Sequence, residues 1–181
     1  MRDQLALRHA TEGRKGLEIG GPTPLAANLY GLLVSCDNLA TFEDHFHGRP
    51  ELIDGADFAP NGGAAIGKTL VGDASNLTNH VAEGSYEFLF ASHVLEHTRD
   101  PLGALLSWDA VLAPGGTLAL CDIHPEYNPS PIMLSGEPYL NGYLDKIDFE
   151  AATSAAKHGL RLHREVLVEG RLVLWTFQKA P

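Results

Sequence analysis

The sequence predicts an α/β fold: a doubly wound, mostly parallel sheet of seven strands that closes with an antiparallel C-terminal hairpin. Three observations carry this. Strand-like and helix-like patterns alternate along most of the chain, the order that builds parallel sheets with crossover helices. Four apolar runs, 16–21, 32–38, 69–74 and 86–93, each stop at an acidic or small polar residue. The segments 160–168 and 171–177 flank Glu169-Gly170 as two strands flank a tight turn. In an open parallel sheet the carboxyl ends of the strands share one edge, and ligands bind in the crevice outside it. Polar endings along that edge therefore read as a nucleoside-type pocket.

Residues 1–13 can form a short helix, with Leu5, Ala6 and His9 on one face and Gly13 as its stop. The first strand runs to about Ile19. Gly20, Gly21, Pro22 and Pro24 then make a turn, followed by a turn or two of helix before a second strand that ends near Asp37. Between residues 43 and 68 the breakers Gly48, Pro50, Gly55, Pro60, Gly62, Gly63 and Gly67 predict loop with at most one short helix. A short third strand covers 69–72 and a buried fourth covers 86–91. Asp100-Pro101 opens a helix with proline in the first turn, where a missing N–H does no harm. Leu102, Leu105, Leu106, Trp108, Val111 and Leu112 give it an apolar face. Pro114-Gly115-Gly116 stops it, and 117–123 is the fifth strand. Residues 124–145, rich in Pro, Gly, Tyr and Asn, form a rim loop. A helix over 148–158, ended by Gly159, precedes the hairpin. With no repeat and no linker, residues 1–181 form a single domain.

Bulk properties narrow the partners. A formal charge of −10, with no cluster of Lys and Arg, excludes a phosphate-backbone partner and so nucleic acid. No apolar stretch is long enough to span a bilayer and no secretory apolar core opens the chain, so no membrane partner is expected. Two cysteines, Cys36 and Cys121, are too few for a disulfide scaffold or a structural zinc site. These features predict a cytoplasmic protein.

The block Phe88-Leu89-Phe90-Ala91-Ser92-His93-Val94-Leu95-Glu96-His97, then Asp100-Pro101-Leu102, then Val111-Leu112-Ala113-Pro114-Gly115-Gly116-Thr117-Leu118 resembles class I S-adenosylmethionine-dependent methyltransferases, especially the methyltransferase type 11 group. Leu17-Glu18-Ile19-Gly20-Gly21-Pro22 is similar to that family's first motif. The resemblance covers about 15–123 by motif and implies a Rossmann-like fold with S-adenosylmethionine as cofactor. One departure stands out: Pro22 and Pro24 occupy places where the family has its second and third glycines. Proline fixes φ and lacks an N–H, so the turn must be built differently.

A methyl sulfonium donor has an amino-acid tail, a ribose and an adenine to be held. Gly20 and Gly21 could admit the tail, with Glu18 orienting the turn or the amino group; an ordinary Gly-rich turn is the plainer role. Asp37, or else Asn38, is spaced to reach ribose hydroxyls, though Asp-Asn is also a common turn former. Asp73 with Ala74 resembles the family's adenine contact, carboxylate to exocyclic amine and backbone N–H to ring; Asp73 is equally suited to cap a helix. Ser92 and His93 follow the fourth strand, where methyl and acceptor should meet. His93 and His124 are the candidate catalytic residues, each able to accept a proton from a hydroxyl or amine, while methyl transfer itself can proceed by positioning alone. Tyr127, Tyr139, Tyr143 and Met133 are candidate lid residues. His93-Val94-Leu95-Glu96-His97 also fits a His-x-x-Glu-His zinc pattern, but that pattern needs both histidines on a helix and here it follows a buried strand. No metal is expected.

The predicted activity is methyl transfer to an O, N or C nucleophile of a small-molecule substrate. With no added cap evident, the rim 124–145, an oligomer or a partner subunit must close the pocket. The alternatives are a methyltransferase-fold protein with non-methyl chemistry, or a non-catalytic subunit that stabilises a partner.

Overall fold

The computed structural model describes residues 8–40, 53–95, 98, 101–123, 160–168, 172–179 and 181. Its elements are β1 (Lys15–Ile19), β2 (Ser35–Ala40), β3 (Asp57–Phe58), β4 (Gly67–Val71), β5 (Tyr86–Ser92), α1 (Pro101–Val111), β6 (Leu112–Ile123), β7 (Leu160–Val168) and β8 (Leu172–Lys179). They form one sheet in the order β3-β4-β2-β1-β5-β6-β8-β7. The central run β4-β2-β1-β5-β6 is parallel. β3 pairs antiparallel with β4, β8 with β6, and β7 with β8.

The chain winds outward from β1 through β2 to β4, then returns to β5 on β1's other side. The strand order therefore reverses between β1 and β5, and their carboxyl ends diverge at a topological switch point.

Alternation along the strands splits the core in two, because successive side chains point to opposite faces. Leu17, Ile19, Leu39, Leu89, Ala91, Leu118 and Leu120 face α1, where Ala104, Leu105, Trp108 and Val111 are buried. Cys36, Phe88, Phe90, Ala119 and Cys121 face the other way, against Ala26, Leu29, Tyr30 and Phe58. Both faces are covered, as a parallel sheet requires.

Several boundaries differ from the sequence reading. Among the described residues the sheet has eight strands, the expected loop containing β3, a two-residue strand too short to show periodicity. The expected helix after β1 is a 3-10 turn, Pro24–Ala26, capped by the Thr23 side chain. β2 begins and ends about three residues later than expected, at Ser35 and Ala40, and β4 begins earlier, at Gly67. Leu112 already pairs with Tyr86, and the ladder resumes only at Thr117 with Phe88. Pro114-Gly115-Gly116 is thus a bulge within β6, with Gly115 at φ +72°, rather than a gap before it. The rim 124–145 with its candidate lid residues, the 148–158 helix, and the Glu169-Gly170 turn lie outside the described residues. No helix among the described residues is long and apolar enough to cross a membrane.

Candidate functional site at the carboxyl edge

Three backbone hydrogen bonds show which residues share the carboxyl edge. Gly20 N–H donates to Leu39 O at 2.8 Å, Gly72 N–H to Ala40 O at 3.0 Å, and His93 N–H to Cys121 O at 2.9 Å. The segments following β1, β2, β4, β5 and β6 are level with one another, and Gly20, Asp73 and Ser92-His93 belong to that edge.

The turn after β1 is organised by Glu18, whose side chain is buried. Its Oε1 accepts from Thr23 N at 3.0 Å and Thr23 Oγ1 at 2.9 Å, and its Oε2 accepts from Tyr30 OH. A carboxylate thus replaces the glycine geometry that Pro22 and Pro24 forbid. Pro24 opens the 3-10 turn, where its missing N–H is harmless, and Gly21-Pro22 is a cis peptide. Glycine is required at both preceding positions. Gly20 has φ +77° and a Cβ there would lie 2.6 Å from Val94 Cγ2, so the turns after β1 and β5 touch at the switch point. At Gly21 a Cβ would fall 2.0 Å from the Glu18 carboxyl carbon.

The two candidates on β2 separate, because neighbours in a strand face opposite ways. Asp37 lies on the α1 face opposite Leu17, and both its oxygens are engaged: Oδ1 accepts from Lys68 N at 2.7 Å and Oδ2 from Tyr86 OH at 2.8 Å. Those donors sit at the starts of β4 and β5, toward the amino edge of a parallel sheet. The expectation that Asp37 ends its strand at the ligand edge is therefore corrected: it ties β2 to β4 and β5. Asn38 faces the Glu18 side. Its Nδ2 donates to Gly21 O at 3.2 Å, while its buried Oδ1 has no hydrogen-bond partner among the described residues.

Asp73 caps the 3-10 turn Ala74–Asn79, Oδ1 accepting from Ser75 N at 2.8 Å, and its exposed side chain leaves Oδ2 at the edge. Ala74 is buried, its carbonyl accepting from Trp108 Nε1 at 2.6 Å. As the first residue of the turn, its N–H has no acceptor within the turn itself. Ser92 is buried at the end of β5. His93 is exposed with φ +55°, a left-handed conformation uncommon outside glycine. His97, Glu96 and His124 lie outside the described residues.

Burial, then the hydrogen bond to Glu18, raises the Tyr30 phenol above its ordinary range; burial, then Asp37, does the same to Tyr86. Burial, then the Glu18 charge, pushes the Cys36 thiol up to about 12. All three folded values are raised, so unfolding is favoured once the unfolded groups ionise. Their stabilisation is complete below pH 9.0 for the thiol and 10.0 for the phenols, and declines above. Urea midpoints should hold from pH 7 to 9 and then fall, each tyrosine contributing up to about 1.4 kcal/mol per pH unit. Tyr30→Phe should flatten that slope; an unchanged slope would refute the account.

The fit to the implied donor rests on atoms left over after folding. Asp73 Oδ2 offers an acceptor beside the buried Ala74. Asn38 Oδ1 is an unused acceptor behind the first turn. These suit a ligand that carries amino and hydroxyl donors.

A family model described as methyltransferase domain matches residues 22–120, more than half of the chain. An S-adenosylmethionine-dependent methyltransferase from Mesorhizobium loti is 13% identical, with TM-score 0.61, covering 98% of both chains. One from Aquifex aeolicus is 14% identical at TM-score 0.60, covering 98% of this chain and 88% of its own. An arsenic(III) S-adenosylmethionine methyltransferase from Chlamydomonas reinhardtii is 20% identical at TM-score 0.55, covering 95% and 65%. These structural likenesses show the fold. None of the curated proteins matches the sequence.

Proposed function

The chain belongs to the methyltransferase domain family, as a class I enzyme dependent on S-adenosylmethionine, and we propose that, as a single domain, it methylates an O, N or C nucleophile of a small molecule. The observation that carries this is the alignment of Gly20, Asp73-Ala74 and Ser92-His93 along one edge at the switch point. When bound, S-adenosylmethionine supplies an electrophilic methyl on a sulfonium that needs no further activation.

The chain's own residues would then bind and orient. Asp73 and the Ala74 N–H would hold the adenine, and the Gly20-Gly21 turn, braced by Glu18, would receive the amino-acid tail. Asn38, rather than Asp37, is the β2 residue whose free acceptor could meet a donor hydroxyl or ammonium. Ser92 and His93 would border the acceptor. His93, exposed and held by its own N–H, would take a proton from a hydroxyl or amine as the methyl arrives. His124 retains the same proposed role.

Calorimetric titration with S-adenosylhomocysteine tests the assignment. Asp73→Ala should weaken binding at least tenfold, by about 1.4 kcal/mol or more, for the lost carboxylate contact, while stability falls only by the cost of one lost cap, about 0.5–2 kcal/mol. Asp37→Ala should do the opposite, lowering the midpoint while a refolded fraction binds normally. The reverse pattern would return the ligand role to Asp37 and remove it from Asp73.

A further inference from the structure

We propose that His80 is a positioning residue that holds Asp73 in its ligand-binding orientation, an inference that rests on the assignment of Asp73 to the adenine. The polypeptide leaves β4 through Gly72, caps its next turn with Asp73, and returns at His80, which ends that turn with its N–H on Leu77 O at 2.9 Å. The imidazole then reaches back: Asp73 N–H donates to His80 Nε2 at 3.3 Å. The segment is therefore closed on itself, and the residue at the closure is the one that carries the ligand carboxylate.

A capping aspartate does not need such a closure, since Ser75 N–H alone satisfies Oδ1. The close approach at Gly72 shows that the ring has a place of its own. A Cβ on Gly72 would lie 2.2 Å from His80 Nε2 and 2.3 Å from Cε1, so the imidazole rests directly on glycine backbone. Gly72 is in turn anchored to β2 through its N–H on Ala40 O. Asp73 is thus held from three sides: by β2 through Gly72, by Ser75 through its carboxylate, and by His80 through its own N–H. Nε2 can accept only in the neutral ring with its proton on Nδ1. Freed from His80, the Asp73 backbone could rotate while its cap bond persists, and Oδ2 would no longer point consistently at the edge.

The test is calorimetric titration of the purified chain with S-adenosylhomocysteine and with adenosine, alongside thermal unfolding. His80→Gln places an amide oxygen near the position of Nε2 and should bind both ligands within about twofold of the parent. His80→Leu lacks an acceptor and should bind each about three- to tenfold more weakly, the range expected for one hydrogen bond. Gly72→Ala should displace the imidazole and give a similar loss, and adding it to His80→Leu should cost nothing further. If His80→Leu does not fold, Gly72→Ala carries the same comparison. Equal losses for His80→Gln and His80→Leu would overturn the proposal by marking a packing role. Parent-like binding by His80→Leu and Gly72→Ala would also overturn it, provided Asp73→Ala still weakens binding at least tenfold. Parent-like binding by Asp73→Ala would instead remove the adenine assignment beneath it.

Discussion

Glu18→Ala should lower the unfolding free energy by roughly 3–5 kcal/mol and remove measurable S-adenosylhomocysteine binding, the size following from three donors to one buried carboxylate at about 1.5–3 kcal/mol each, discounted for non-additivity. The side chain is 1% exposed, and the donors it would abandon are Thr23 N–H, Thr23 OH and Tyr30 OH. Water cannot easily replace it there, because Tyr30 lies against Phe58, their ring centroids 5.9 Å apart, in the apolar cluster on that face. The turn that Glu18 holds is also the one expected to receive the donor's tail, so stability and binding should fall together. Glu18→Gln keeps an oxygen for Thr23 but not the charge, and should lose about half as much. Urea unfolding followed by titration of the folded fraction measures both effects. A Glu18→Ala protein with parent stability would contradict the network.

Trp108→Ala should cost about 3–5 kcal/mol, the range for emptying a fully buried aromatic site. The indole has no exposed surface and lies in the core cluster shared by α1, the central strands and Leu77. Its Nε1 also donates to Ala74 O, the carbonyl beside the capping Asp73. Trp108→Phe separates the two contributions: the ring volume is largely kept, and about 1–2 kcal/mol should remain as the cost of an orphaned carbonyl. Because that carbonyl begins the turn at the ligand edge, both variants should weaken S-adenosylhomocysteine binding. Equal stability losses for Ala and Phe would show that the hydrogen bond, and not the packing, dominates.

Much of this architecture was legible in the residues. The α1 face was readable because Leu105, Trp108 and Val111 recur at helical spacing, and all three are buried. The central strands were readable because short apolar runs bounded by glycine and proline suit a sheet covered on both faces. Strand ends were less legible. β2 looked finished at Asp37 because Asp-Asn commonly turns a chain, yet parallel pairing with Ile19 and Val71 carries it on to Ala40. The Pro114-Gly115-Gly116 interruption looked like a stop, but a bulge absorbs it without ending the ladder. His80 carried no pattern at all, since its partner is a backbone N–H seven residues away and its room is made by a glycine.

Local patterning alone determined the α/β class, the placing of a candidate ligand edge at the strand endings, and the family, because periodicity and short motifs are written in consecutive residues. Which neighbour in Asp37-Asn38 faces the first turn, how a proline-bearing turn is braced by Glu18, and where His80 returns were decided only by tertiary structure. The physical reason is register. One residue of slip along β2 exchanges the two faces of the sheet, and register is set by partners on β1, β4 and β5 that lie tens of residues away in the chain.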